Sequence, residues 1–250
     1  MGMETMRAAR LHEDGLRIEE LPVPEPKAGE VLVRVHAAAI TRGELTWPLD
    51  RLPAIPSYEL SGVADGEEVF ALTPFDRDGV AAEYAVVPTA VLARRPLGLS
   101  HVESAALTLA GLTAWQGLFD HGGLREDERV RVLGASGGVG HLAAQLAGTR
   151  LVGENEPCDL VFDTVGGDVL ASAVGSAPRV VSVAEEADGV TYFVVEPNRD
   201  ELLELGRLAE SGGLEPQIDS VFPLTEAHAA FSRLAERGKR GKVVIQVSSD

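Results

Sequence analysis

The stretch VRVLGASGGVGHLAAQL, residues 130–146, decides the fold of this chain. It opens with an apolar run that predicts a short buried strand. Glycine then stands at four of seven positions, and apolar residues afterwards recur at helical spacing. A strand, a glycine turn and a helix form a phosphate-binding unit, because the turn lets the backbone approach an anion and the helix start offers free N–H groups. The stretch therefore predicts an anion site built from main chain.

Composition and charge restrict the classes of protein to which the chain can belong. Its 250 residues suit one large or two modest domains, and its net charge of −17 argues against nucleic acid or an anionic membrane as a partner. Cys158 is the only cysteine, which excludes an internal disulfide and a metal site made of several thiolates. No apolar run approaches the ~18 residues of a membrane span, and no early stretch resembles a signal peptide, so we expect a cytoplasmic protein.

The chain divides into a β-rich part and a part in which strands alternate with helices. The first part is predicted to contain hairpins at 6–21 and 58–72 and a strand at 30–40, with His36 on the polar face of that strand. A capping box formed by Ser100 and Glu103 begins the first helix, after which helices and strands alternate. This alternation predicts a mostly parallel sheet covered on both faces.

Several segments, in chain order, resemble the medium-chain dehydrogenase/reductase superfamily, and within it the zinc-independent quinone oxidoreductases, also called zeta-crystallin-like. They are GEVLVRVHAAAI, AALTLAGLTAWQGL, RVLGASGGVG, DLVFDTVGGD, VVSV, YFVVEP and GKVVIQV, and together they extend over most of the chain. The resemblance implies an α/β fold with two domains. A GroES-like β domain would comprise residues 1–104 and 222–250, and a truncated Rossmann domain with a doubly wound parallel sheet would comprise residues 105–221.

The same resemblance implies a function. It is NADPH-dependent reduction of a quinone, an enone or a similar activated double bond by hydride transfer, in a homodimer that acts on a small molecule. Zinc-binding relatives place a catalytic Cys or His in the segments that match residues 40–44 and 57–59, and this chain has neither residue there. We therefore expect a site without metal. Thr41 and Glu44 stand where many relatives carry Asn and Asp.

The resemblance places the cofactor on the glycine stretch and on the ends of the strands that follow it. The predicted cofactor-binding residues are Gly134, Ala135, Ser136, Gly137, Gly138, Val139, Gly140, Asp163, Thr164, Val165, Gly166, Ser182, Val183, Phe193 and Val195. Glu154 lies 20 residues after Gly134, where an acidic residue would accept from a ribose hydroxyl and favour NADH over NADPH. Both cofactors therefore stay open.

Substrate is expected to enter between the two domains. The candidate catalytic residues there are Thr41, Glu44 and Tyr58, and Trp47 and Trp115 are candidates for lining the pocket. Packing is an equally good explanation of the two tryptophans.

The largest departure from the family pattern lies after the glycine stretch. A complete nucleotide-binding fold needs a second strand, a helix and a third strand there, but only TRLVGENEPC, residues 149–158, is present. A parallel crossover needs a dozen or more residues, so one helix and one strand are missing. We expect residues 150–153 to form the second strand and residues 154–157 to return the chain, which leaves the adenosine end of the site shallow and open.

Two other classes of function stay open. The scaffold could serve a non-redox enzyme, such as a cyclase or isomerase, or a binding protein, with cofactor binding weakened or lost. Ser136 in a G-x-S-x-G arrangement, with Asp219 and His228 later in the chain, also matches a serine hydrolase. The close spacing of Asp219 and His228, which runs straight into a predicted helix, disfavours the hydrolase.

Overall fold

The computed structural model describes residues 4–45 and 51–248. The strands in chain order are β1 (Thr5–His12), β2 (Gly15–Pro22), β3 (Glu30–Ile40), β4 (Glu59–Ala64), β5 (Glu67–Leu72), β6 (Tyr84–Pro88), β7 (Ala93–Arg94), β8 (Val130–Leu133), β9 (Leu160–Asp163), β10 (Arg179–Ser182), β11 (Thr191–Tyr192), β12 (Ile218–Pro223) and β13 (Lys242–Gln246). The α-helices are α1 (His101–Trp115), α2 (Gly140–Ala147), α3 (Gly167–Ala173), α4 (Arg199–Glu210) and α5 (Ala227–Ala235).

The β-rich part forms the larger of the two principal sheets. Within the described residues this sheet has seven strands in the order β12-β13-β3-β4-β5-β7, and β6 pairs with the first half of β3. The closing strand β13 runs antiparallel to β3, so the end of the chain returns to the sheet formed by its beginning. The predicted hairpins are present as β1–β2 and β4–β5.

The second sheet is parallel and has the order β11-β10-β9-β8. Alternate residues of its strands pack on opposite faces: Leu160 and Phe162 join a core with α1, α2 and α4, whereas Val161 packs on α3. Coverage on both faces is therefore confirmed. The capping box also forms, since the Ser100 hydroxyl accepts from the Glu103 N–H at 3.2 Å and the Glu103 carboxylate accepts from the Ser100 N–H at 2.8 Å.

The predicted second strand of the parallel sheet is reduced to a single bridge. Leu151 pairs with Val130 on the edge of β8 opposite β9, and the Val152 N–H donates to the Val130 carbonyl oxygen at 3.0 Å. Residues 148–150 form a short 3₁₀ turn, and the chain turns again at residues 154–156. The prediction of a strand over residues 150–153 was wrong in extent, because the segment between these turns is too short to continue the pairing.

One further sequence expectation differs from the structure. His36 is buried and not on a polar face, because α1 covers that side of β3, and its ring stacks on His101 with centroids 4.3 Å apart. The strand β12 pairs in parallel with β13, so the predicted domain boundary at residue 222 falls inside β12. Over the described residues, no helix is both long and apolar enough to cross a membrane.

Candidate active site

The glycine turn, residues 134–140, reverses the chain tightly between β8 and α2. Gly134 has a φ of +84°, a left-handed conformation that favours glycine, and its carbonyl oxygen accepts from the Gly137 N–H at 2.9 Å. A Cβ atom at Gly140 would lie 2.0 Å from the Gly134 carbonyl oxygen, so this approach requires glycine. Val139, which precedes α2, supplies no side-chain cap. The turn therefore leaves the amino end of the helix open to an anion.

The turn after β9 lies beside the glycine turn. A Cβ atom at Gly134 would lie 2.5 Å from the hydroxyl oxygen of Thr164, and that hydroxyl donates to the Leu133 carbonyl oxygen at 2.8 Å. The Val165 side chain borders Gly134 as well and is 49% exposed. The two turns thus form one surface at the carboxyl edge of the parallel sheet, where ligands of such sheets bind.

Asp163 and Ser182 shape this edge from inside the protein. The Asp163 carboxylate accepts from the N–H groups of Val165 at 3.0 Å and Gly166 at 3.1 Å, and from the Ser182 hydroxyl at 2.7 Å. The Ser182 oxygen accepts in turn from the Ala184 N–H at 3.0 Å. Both side chains are fully buried. They hold the turns after β9 and β10 in shape, and a cofactor at this edge would meet mainly the backbone around them.

The remaining predicted cofactor residues extend this edge toward β11. The Val183 N–H donates to the Asp163 carbonyl oxygen at 3.2 Å, and the Phe193 N–H donates to the Ser182 carbonyl oxygen at 3.3 Å. Phe193 and Val195 are buried, and the Phe193 ring stacks on His121 with centroids 4.2 Å apart. These residues therefore border the candidate cofactor site on the side of β10 and β11.

Glu154 lies apart from this group. It is exposed and stands in the turn after Leu151, which is closed by a hydrogen bond from the Gly153 N–H to the Glu156 carboxylate at 2.9 Å. The bridge that precedes it pairs with Val130, at the amino end of β8, whereas the glycine turn follows Leu133 at the carboxyl end. The turn that carries Glu154 therefore follows a bridge at the opposite end of β8 from the glycine turn.

Two contacts join the glycine turn to the large sheet. Gly137 forms a parallel bridge with Gly241, whose N–H donates to the Ser136 carbonyl oxygen at 3.4 Å. The next residue, Lys242, lies against the turn, since a Cβ atom at Gly138 would be 2.9 Å from its Cδ atom. The candidate anion site therefore lies at the junction of the two sheets.

His141 makes a third connection, through its imidazole ring. The Gln217 N–H donates to His141 Nε2 at 2.9 Å, so Nδ1 carries the proton and donates to the Gly137 carbonyl oxygen, also at 2.9 Å. Burial lowers the pKa of this imidazole, which favours the neutral form that both hydrogen bonds require. The ring thus bridges the glycine turn and the segment before β12.

Three buried titratable side chains, Lys242, Glu59 and Glu44, lie on the β-domain side of the glycine turn. The Lys242 ammonium donates to the Glu59 carboxylate at 2.5 Å, and both side chains are almost fully buried. Burial raises the pKa of Glu59, and the Lys242 charge opposes that rise. Glu44 is also buried, and its carboxyl oxygens accept from the N–H groups of Thr41 at 2.9 Å and Ser57 at 2.7 Å. Burial raises the pKa of Glu44 to about 7.

The structure brings three of the predicted catalytic residues together. The hydrogen bonds of Glu44 tie the segment that begins at Thr41 to the segment of residues 57–59, which contains Tyr58. Tyr58 is half-buried, meets Phe75 edge to face at 5.0 Å and packs on the core of the parallel-sheet part. It therefore lies where the two parts of the chain meet.

Of the two tryptophans, Trp115 does not join this cluster. Trp47 lies outside the described residues. Trp115 contacts Phe119 edge to face at 4.9 Å, and the Arg150 guanidinium lies 5.5 Å from the Phe119 ring centre. Arg150 bonds to the last carbonyl oxygens of α2, so these contacts place Trp115 toward the end of α2 that is opposite the glycine turn. The packing explanation fits Trp115.

Neither a hydrolase triad nor a metal site forms among the described residues. Asp219 is bound by Arg233 through two hydrogen bonds of 2.8 Å, and His228 is exposed on α5, so the Ser–Asp–His arrangement does not form. In residues 4–45 and 51–248, no group of three or more His, Cys, Asp or Glu side chains is arranged to hold a metal ion.

Comparison with known proteins agrees with this geometry. A family model described as zinc-binding dehydrogenase matches residues 141–245. A chloroplastic quinone-oxidoreductase homolog of Spinacia oleracea is 32% identical, over 93% of this chain and 94% of its own length. A 2-methylene-furan-3-one reductase of Solanum lycopersicum is 31% identical, over 93% of this chain and 76% of its own length. A solved structure, the quinone oxidoreductase from Coxiella burnetii, has a TM-score of 0.89 at 25% identity and covers 98% of this chain and 100% of that one.

The chain belongs to the medium-chain dehydrogenase/reductase superfamily. Within it, the relatives place the chain in the quinone-oxidoreductase-like branch, which makes it an oxidoreductase and suggests a nicotinamide cofactor. The predicted fold class, a GroES-like β domain with a Rossmann-type domain, is confirmed. The alignment with the S. oleracea protein extends over 314 positions, more than the 250 residues of this chain, so that reductase homolog carries segments that this chain lacks.

Three residues of this candidate site were not predicted from the sequence. Glu59, His141 and Lys242 each contact a predicted site residue or one another, but none was singled out. The segment GKVVIQV was noted as part of the family pattern, and a lysine at the start of a buried closing strand was a usable signal. The pairing of Lys242 with Glu59 had no local signal, because the two residues are 183 positions apart.

Proposed function

We propose that this oxidoreductase reduces a quinone, an enone or a similarly activated double bond by hydride transfer from NADPH or NADH, without zinc. The observation that carries the proposal is the junction at Gly137, where a turn suited to a phosphate is bonded to Gly241 of the β domain. Contacts continue from that turn through Lys242 to Glu59, whose chain neighbour is Tyr58. A nucleotide on the turn would therefore have its reactive end within reach of the β-domain residues.

The residues present fit the phosphate and nicotinamide half of such a cofactor. Close approach at Gly140 and the uncapped start of α2 suit a phosphate group. The names of the relatives favour the substrate class, since one is a quinone-oxidoreductase homolog and another a 2-methylene-furan-3-one reductase. Both names describe compounds in which a carbonyl group activates a double bond or ring.

The chain's own residues would supply position and electrostatics. When bound, the reduced nicotinamide supplies the hydride. The N–H groups of residues 138–140 would hold its phosphate, and the backbone around Asp163 and Ser182 would orient its ribose. Thr41 and Tyr58 would contact the substrate, and the Tyr58 phenol would donate a hydrogen bond to the carbonyl oxygen that gains negative charge. Solvent would protonate the substrate carbon.

The test is an assay of NADPH oxidation with a small quinone and, separately, with an alkyl vinyl ketone. The reaction is monitored by the loss of the dihydronicotinamide absorbance. We expect turnover with at least one acceptor class, and we expect it to survive exhaustive chelation. If neither acceptor is turned over, the proposal that the protein is a reductase is contradicted. Loss of activity on chelation, restored by zinc, would contradict the zinc-free site. Tyr58→Phe should lower kcat more than it raises KM, because the phenol acts as charge develops.

A non-redox function on the same scaffold is the second candidate. The observation that favours it is the loss of the second strand, which removes part of a nucleotide site. If neither NADPH nor NADH binds at millimolar concentration, the proposed reductase function is wrong. A non-redox enzyme or a binding protein is then the function that we propose.

We also propose a homodimer that forms through the free edge of the parallel sheet. Tyr192 and Val194 at that edge are 39% and 59% exposed, although both are large and apolar. Light scattering should give twice the mass of the chain, and Val194→Lys should give the mass of one chain. A monomer in the unmodified protein would contradict the proposal.

A further inference from the structure

The parallel sheet ends where the adenosine half of a dinucleotide would need support. In a doubly wound sheet the dinucleotide lies across the carboxyl edge at the point where the strand order reverses, with each half on one side of that point. Here β8 to β11 all lie on one side. On the other side, Leu151 is the sole described residue that pairs with β8.

The position of this bridge leaves the carboxyl edge uncovered. Leu151 pairs with Val130, three residues before Leu133, and three residues of a strand extend about 10 Å. After Val152 the chain turns at residues 154–156 and forms no second bridge with β8 in the described part of the chain. The floor that a second strand gives to the adenosine ribose is therefore absent next to the glycine turn.

The segment that replaces the missing strand and helix is held away from that edge. The Arg131 guanidinium donates to the Glu156 carbonyl oxygen at 2.7 Å and to the Ser176 hydroxyl at 3.3 Å. These bonds draw the turn toward the side of the sheet on which α3 ends. Leu151 itself stays 38% exposed, so the segment forms no closed wall.

We infer that the cofactor site is a half-site, which holds reduced nicotinamide nucleotides by their phosphate and nicotinamide riboside alone. The inference rests on the proposed function. The adenosine group and any 2′-phosphate would extend into solvent past the carboxyl edge, whereas Glu154 is exposed near the other end of β8. The protein therefore takes reduced nicotinamide mononucleotide about as well as NADH or NADPH and does not discriminate between the two dinucleotides.

Binding titrations with the three reduced nucleotides test the inference. Each is followed by dihydronicotinamide fluorescence and repeated by calorimetry, and adenosine 2′,5′-bisphosphate is added as a competitor. We expect the three dissociation constants to agree within about tenfold and no displacement by the bisphosphate. The half-site is overturned if either dinucleotide binds more than about tenfold more tightly than another of the three nucleotides, or if the bisphosphate displaces them. The proposed function stands in both cases. If none of the three nucleotides binds, the proposed function fails as well.

Glu154→Gln provides a second, independent measurement. Its side chain lies in an exposed turn, so the variant should fold like the unmodified protein. In a half-site, the ratio of the NADPH and NADH dissociation constants changes by less than about twofold in this variant. A larger gain in NADPH affinity would show that the carboxylate faces the ribose and would overturn the inference.

Discussion

Replacing Glu44 by Gln should change how folding stability depends on pH. Burial raises the pKa of Glu44 to about 7, whereas the unfolded chain has the ordinary value of 4.5. Between these values the folded protein keeps a proton that the unfolded chain releases. The stabilising effect of this difference is fully present below pH 4.5 and is lost as the pH rises toward 7. At about 1.4 kcal/mol per unit, the loss amounts to about 3 kcal/mol.

The amide that Glu44→Gln introduces cannot ionise, so the substitution removes this pH dependence. Urea denaturation of both proteins from pH 4 to 8 gives the difference in their unfolding free energies, in which the contributions of other groups cancel. We expect the unmodified protein to lose about 3 kcal/mol relative to the variant over that window. Glu154→Gln, at an exposed position, is the control for replacing a carboxyl group by an amide. Parallel curves for Glu44→Gln would refute the buried, protonated carboxyl.

Three substitutions test the contacts around the glycine turn. Lys242→Met leaves the Glu59 carboxylate without its buried partner and should lower the free energy of unfolding by about 3–5 kcal/mol in urea denaturation, with partial recovery in the double variant with Glu59→Gln. Full additivity would contradict a direct pair. Gly140→Ala places a Cβ atom 2.0 Å from a backbone oxygen and should abolish NADPH binding; retained affinity would show that the turn relaxes easily. His141→Ala removes two hydrogen bonds and should raise the NADPH dissociation constant about tenfold, whereas an unchanged constant would contradict a positioning role.

The parts of the fold that sequence predicted are those set by short-range chemistry. The glycine turn, the two hairpins and the capping box at Ser100 each depend on residues within a few positions of one another. The φ of +84° at Gly134 and the clash that a Cβ atom would make at Gly140 both require glycine, and glycine can be recognised directly in the sequence. Local patterns of this kind also located the carboxyl edge that a ligand would use.

The parts that sequence did not predict depend on contacts between distant residues. His36 alternates as a polar-face residue should, yet α1 covers that face and buries it. The bridge of Leu151 to Val130 is shorter than the predicted strand because the turns on either side fix its length. The burial of Glu59 with Lys242 needs the last strand to return beside the first ones, which local pattern does not reveal.

The measurement that tests the central claim most directly is NADPH binding to Gly137→Asp and Gly137→Ala. A Cβ atom at Gly137 would lie 3.3 Å from the Gly134 carbonyl oxygen, so alanine needs only a small adjustment, whereas aspartate adds a negative charge where the phosphate should lie. In fluorescence titrations we expect the alanine variant to bind within a few-fold of the unmodified protein. The aspartate variant should lose about a hundredfold or more in affinity while it unfolds at the same urea concentration. Equal affinity in the aspartate variant would contradict a phosphate site at this turn.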